Sequence, residues 1–253
     1  MIGVVSPSSS RDTATGDPRS ASAWRALIAD ERHGPLPALL LALTVLTGVV
    51  DAVSILTLGR VFVANMTGNV VFVGFAIGGA PGFSLSASLA ALGGFLLGAF
   101  AGGRAILAAD RWRGVLLRDA VGVEAGLLVA ALVLAIATGT PFSEATRDVL
   151  AALLATAMGL QNTVVRKLAV PDLTTTVLTM TLTGIAADRH ESARSPVVVR
   201  RLLAVAAMLT GAIVGALLVV GVSAVAALAL AAGLVAAVSA AATLAARRPA
   251  AWQ

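Results

Sequence analysis

Val61-Phe62-Val63-Ala64-Asn65-Met66-Thr67-Gly68-Asn69-Val70-Val71-Phe72-Val73-Gly74-Phe75-Ala76-Ile77-Gly78 is the most informative segment of the chain for its architecture. Its flanks are apolar enough for a membrane interior, yet two amides, a hydroxyl and a glycine interrupt it. Asn and Gly favour turns over helix interiors, because the amide competes for backbone bonds and Gly adds backbone entropy. In lipid, a break in the helix survives only against protein or a water-filled cavity. Leu173 to Ala187 is also short, and with Thr174, Thr175, Thr176, Thr179, Thr181 and Thr183 it is equally polar. Both segments fall short of the roughly 20 residues that a full crossing needs.

Around these two segments the chain reads as membrane throughout. Hydrophobic residues make up 58% and charged residues 12%, against roughly 45–50% and 25% in soluble domains. Eight apolar runs follow one another: Ala38–Leu58, Val61–Gly78, Leu85–Ala109, Asp119–Thr138, Asp148–Val165, Leu173–Ala187, Leu202–Val220 and Ser223–Ala246. Six approach crossing length. Residues 1–34 are polar and lack apolar periodicity, so they are expected to form a disordered tail. A signal peptide is the rival reading, disfavoured because the apolar run after it exceeds the usual 7–15 residues. The net charge of +5 sits at the ends of apolar runs, where Arg sets orientation and meets lipid headgroups rather than nucleic acid. The chain has no cysteine.

The runs fall into two similar halves, 35–138 and 139–248. Gly48-Val49-Val50-Asp51 aligns with Gly159-Leu160-Gln161-Asn162. Asn65 to Asn69 aligns near Val177 to Thr181, and Gly98 to Gly102 aligns with Gly211 to Gly215. Charge is exchanged between the halves. The first is Arg-rich at its second break (Arg111, Arg113, Arg118), the second at its first (Arg189, Arg194, Arg200, Arg201). Short Arg-rich loops stay in the cytoplasm, so the halves are expected to be inverted, each with an odd number of crossings and one broken or re-entrant helix. The expectation is an all-α polytopic inner-membrane protein of about six crossings, with both termini cytoplasmic.

Asp51 lies about 20 Å along the first helix at 1.5 Å per residue. A carboxylate at such depth costs about 2.5–3.5 kcal/mol on insertion scales and needs a partner, a proton or a cavity. It is read as a cation or proton site, with an ion pair to Arg60 or Arg166 as the structural alternative. Asn65, Thr67 and Asn69 at the first break, with Gln161, Asn162, Thr176, Thr179 and Thr181 from the second half, complete a candidate substrate or ion site. The structural alternative is a kink held by Asn and Thr bonding to preceding carbonyls. Pro171 turns the chain, and Asp172 or Thr174 can cap the next helix. Helix N-termini aimed inward attract anions, against the preference of Asp51. Gly94, Gly98 and Gly102, and Gly211 and Gly215, read as faces for close helix packing. Glu124 is expected to snorkel or to pair with Arg118, and Arg104 to reach the interface.

No H-E-x-x-H, G-x-S-x-G, Walker or dinucleotide-binding pattern is present, and His33 and His190 fall in loops. No enzyme activity, metal or cofactor is therefore expected. The stretch Gly48 to Gly79, with Val50-Asp51-Ala52-Val53-Ser54 and Ala64-Asn65-Met66-Thr67-Gly68-Asn69, resembles the YoaK-like family of bacterial membrane proteins. So does Ala157 through Pro171-Asp172-Leu173-Thr174-Thr175-Thr176 to Gly184, although Met180 stands where glycine is expected. The resemblance spans Pro37 to Ala246. It implies a multi-pass membrane protein of a domain of unknown function, and supplies no substrate. The residues themselves favour a small-solute transporter or channel, with the lipid bilayer, a small solute and a coupling proton as partners and homo-oligomerisation open. A membrane scaffold or sensor is the alternative.

Overall fold

The structure is a computed structural model that describes residues 33–108, 113–171, 173, 175, 178–187 and 196–247. Eight helices follow in order: α1 Leu36–Thr57, α2 Met66–Ile77, α3 Leu85–Ala108, α4 Arg113–Thr138, α5 Glu144–Leu168, α6 Leu178–Ala187, α7 Pro196–Gly221 and α8 Ala224–Ala246. Six are long and apolar enough to cross a membrane, and α2 and α6 are not. At 12 and 10 residues these two reach about half the roughly 30 Å hydrocarbon core. No strand occurs among the described residues.

Helix ends follow their caps. Ser143 Oγ accepts from the Thr146 amide at 3.2 Å to start α5, and Ser223 Oγ accepts from the Ala226 amide at 3.1 Å to start α8. The α5 helix therefore starts four residues before Asp148, where its apolar run begins. At its other end Arg166 and Lys167 occupy the last turn and Ala169 closes it in the left-handed region, φ 49°. Likewise α4 starts at Arg113, so Arg113 and Arg118 lie on the helix rather than in the expected loop. Arg113 Nη2 donates to the Leu168 carbonyl, tying the start of α4 to the end of α5. The expected tail over 1–34 falls almost wholly outside the described residues, as do Arg111, Arg189, His190 and Arg194.

The core is organised by two tightly packed pairs, α1 with α7 and α3 with α5. Glycine makes both possible. A Cβ on Gly48 would strike the Met208 carbonyl oxygen and the Ala212 amide, and one on Gly211 the Val45 carbonyl. In the other pair, a Cβ on Gly159 would strike the Phe95 carbonyl oxygen and the Ala99 amide, and one on Gly98 the Thr156 carbonyl. The contacts correspond position by position. With no driving force from water inside lipid, backbones held this close supply the attraction through dispersion. Both pairs run parallel, and each joins one helix from either half.

The remaining contacts keep this exchange. The α4 helix packs on α5 as α8 packs on α1, α2 packs on α3 as α6 packs on α7, and α4 packs on α8. Of the long helices α1 is the most enclosed and α7 the least. Side chains such as Leu217 and Val220 on α7 are exposed, as an apolar surface in lipid requires.

Candidate functional site

The site begins where α1 ends. Gly59 (φ 90°) and Arg60 (φ 57°) turn the chain back on itself, and residues 61–65 run into the bundle beside α1. The return is fixed by Asn69, fully buried on α2. Its Oδ1 accepts from the Phe62 amide at 2.8 Å and its Nδ2 donates to the Phe62 carbonyl at 2.6 Å. One side chain thus satisfies both backbone groups of a residue that has left the helix, which is what a chain break at membrane depth demands. Gly68 makes room: a Cβ there would run into the Phe62 ring.

The break also serves Asp51. The backbone amides of Val63 and Ala64 hydrogen-bond its carboxylate. Asp51 is 7% exposed, and its Oδ1 has no hydrogen-bond partner. The ion pair with Arg60 or Arg166 is replaced by these backbone donors, because the returning segment reaches the carboxylate first.

A cavity of about 850 Å³ adjoins Asp51. Asp51, Asn65 and Thr67 line it from the first half, and Asn162 and Thr179 from the second. Its apolar wall includes Phe62, Phe72, Phe95 and Met208. The first residues of both short helices, Met66 and Leu178, face it. The N-terminal ends of α2 and α6 therefore converge on one space. Asn65, the N-cap of α2, makes no side-chain capping bond.

Five of the nine predicted site residues are thus brought together. Three others serve elsewhere among the described residues. Asn69 is committed to Phe62. Gln161, 2% exposed, donates through Nε2 to Thr175 Oγ1 at 2.8 Å and to Thr47 Oγ1 at 3.3 Å. Thr181 is buried on α6 outside the cavity lining. Thr176 lies outside the described residues, as do the candidate caps Asp172 and Thr174.

The aromatic and methionine wall was not anticipated, though Phe95 and Met208 are marked by the same offset that relates Gly98 to Gly211. Phe72 also lines a second cavity of about 550 Å³ by the end of α1, together with Arg60, Phe83 and Arg147. Phe62 stacks on Phe72 at 5.6 Å, and Phe72 meets Phe83 at 5.1 Å. An aromatic partition therefore stands between the two cavities.

Glu124 departs from expectation. It is 1% exposed on α4, and neither carboxyl oxygen has a hydrogen-bond partner. Arg118 instead pairs with Asp119 at 2.7 Å. Six positions along a helix turn the side chain about 120° away around the axis, so Arg118 and Glu124 present to different faces. Among the described residues no group of three or more His, Asp or Glu could hold a metal ion.

Six long apolar helices and two half-length helices define an α-helical multi-pass integral membrane protein. The chain belongs to the family described as protein of unknown function (DUF1275), which matches residues 39–241. It is similar to the UPF0700 transmembrane protein YoaK of Bacillus subtilis (strain 168), 38% identical over 152 residues. That match covers 59% of this chain and 65% of the relative, slightly under two thirds of its length. No solved structure matches the chain.

Proposed function

We propose that the protein moves a small solute across the bacterial inner membrane, as a secondary transporter or channel built from two inverted repeats. One observation carries the reading: both half-helices begin at a single cavity to which each half contributes polar groups. Discontinuous helices meeting at the interface of inverted repeats are a construction used by secondary transporters. The position-by-position match between the two glycine-packed helix pairs supports the duplication. Three full-length helices in each half, an odd number, support opposite insertion. With the Arg-rich loops inside, both termini lie in the cytoplasm.

The lining favours binding over catalysis. Among the described residues it offers one carboxyl group and no histidine or lysine to act with it. The rival reading, a scaffold or sensor, gains from the tight glycine contacts but leaves the cavity without a purpose.

Single cysteines at Thr67 and Thr179, in this natively cysteine-free chain, test the reading with a membrane-impermeant thiol reagent applied from either side. Labelling of both positions, with access from each side under some condition, is the expected result. Silence at both, while a control cysteine at Ser84 reacts, would move the protein to the scaffold class.

A further inference from the structure

We infer that the central cavity takes a small zwitterion with a short apolar body, its anionic group at the converging N-termini of α2 and α6 and its protonated amine at the Asp51 carboxylate. This names the solute for the transport reading and rests on that reading of the cavity.

Three observations lead here. The first is the pair of half-helix ends. Each helix N-terminus carries roughly half a positive charge, and two of them open on the same space from opposite halves. Orphan amides in a first turn are ready donors to an anion. The second is independent of the helices: Asp51 lines the same cavity, and its Oδ1 has no partner. A buried acceptor left unmet is costly, and a bound donor would meet it. The third is the wall, where Phe62, Phe72, Phe95 and Met208 offer apolar surface to a side chain.

Charge arithmetic selects among solutes. Two helix ends sum to roughly +1 and Asp51 supplies a full negative charge when ionised. An anion alone would be drawn to the helix ends and repelled by Asp51, while a cation alone would meet the reverse. A zwitterion satisfies both poles, so each of the two charges that loses water on entry meets a complementary group in the cavity. Among the described residues no lining side chain carries a positive charge, so the helix ends supply the positive pole. The volume falls within the roughly 300–1,000 Å³ typical of small-molecule sites.

The test uses three solutes that share one branched apolar body: L-leucine, 3-methylbutylamine and 4-methylpentanoate. Binding is measured to the purified full chain in lipid nanodiscs, and uptake is followed in proteoliposomes. Leucine is expected to bind at least tenfold more tightly than either single-charge analogue. Asp51→Asn keeps an acceptor for the Val63 and Ala64 amides while removing the charge. It is expected to weaken leucine at least tenfold and to leave 4-methylpentanoate unchanged or tighter. Should that variant fail to fold, the ratio among the three solutes on the unaltered protein decides alone.

If 4-methylpentanoate matches leucine and binds better at acid pH, the poles belong to an anion and a separate proton, and the zwitterion idea falls. Binding of none of the three overturns it as well. Failure here with Thr67 and Thr179 still labelled from both sides removes only the zwitterion. Failure together with silent cysteines removes the solute pathway itself.

Discussion

The break before α2 and the break before α6 occupy equivalent places in the two halves, yet they are braced by different chemistry. In the first, one fully buried amide on α2 grips the departing strand: Asn69 meets both the amide and the carbonyl of Phe62. In the second, the fourth residue of α6 is Thr181 instead of an amide, and among the described residues a brace also comes from outside the half-helix. Gln161 on α5 donates to Thr175 and also reaches Thr47 on α1. The first break is held from within its own half, and the second is tied across to the other. Among these described contacts, the first break rests on Asn69 and the second on the reach of Gln161 to the other half.

Removing the braces tests this ranking, and the largest effect belongs to Asn69. Asn69→Ala leaves two backbone groups at membrane depth without partners and is expected to cost about 2–4 kcal/mol, read by unfolding in detergent micelles. Thr181→Ala, its positional counterpart, is expected near roughly 0.6 kcal/mol, the average for polar contacts between membrane helices. Equal losses at the two positions would erase the contrast. Next comes steric fit: Gly68→Ala drives a methyl into the Phe62 ring and should cost about 1–3 kcal/mol. A second change, Phe62→Ala, should relieve that clash. Met180, the corresponding third residue of α6, is 72% exposed, so Met180→Ala should stay within about 0.5 kcal/mol. The smaller effect of the two braces is that of Gln161→Met, expected at about 1 kcal/mol. Its Oε1 is already unpartnered, so the substitution gives up one good bond and removes one unmet acceptor. Its thermal melt should fall by less than that of Asn69→Ala.

The same comparison shows what the sequence could reveal. A polar interruption inside an apolar run has one physical meaning at membrane depth, so both half-helices were legible from Asn65-Met66-Thr67-Gly68-Asn69 and from the threonines. Asp51, Asn65, Thr67, Asn162 and Thr179 were legible as lining for the same reason. The roles of Asn69 and Gln161 were not, because an amide reads alike whether it faces a solute or a backbone, and its partner is set by tertiary placement. Phe62 and Phe72 were hidden for the opposite reason: in an apolar run an aromatic ring looks the same against lipid as against a cavity. The glycine expected at Met180 also has an explanation in the first half alone. Gly68 is required by the Phe62 ring, while Met180 points outward. Glu124 was misplaced by counting its distance from Arg118 along the sequence without the helical phase.

The glycine-locked pairs also bear on how the chain is made. Gly48 on α1 closes against Met208 on α7, 160 positions later in the sequence. At a synthesis rate of about 5–20 residues per second, α1 waits roughly ten to thirty seconds in the bilayer before its partner exists. Gly98 on α3 waits for Thr156 over a much shorter stretch. Throughout that interval Asp51 is not left alone, since Val63 and Ala64 follow it by only a dozen positions. The newborn first half can shelter its own carboxylate while the ribosome is still completing the helix that will enclose it.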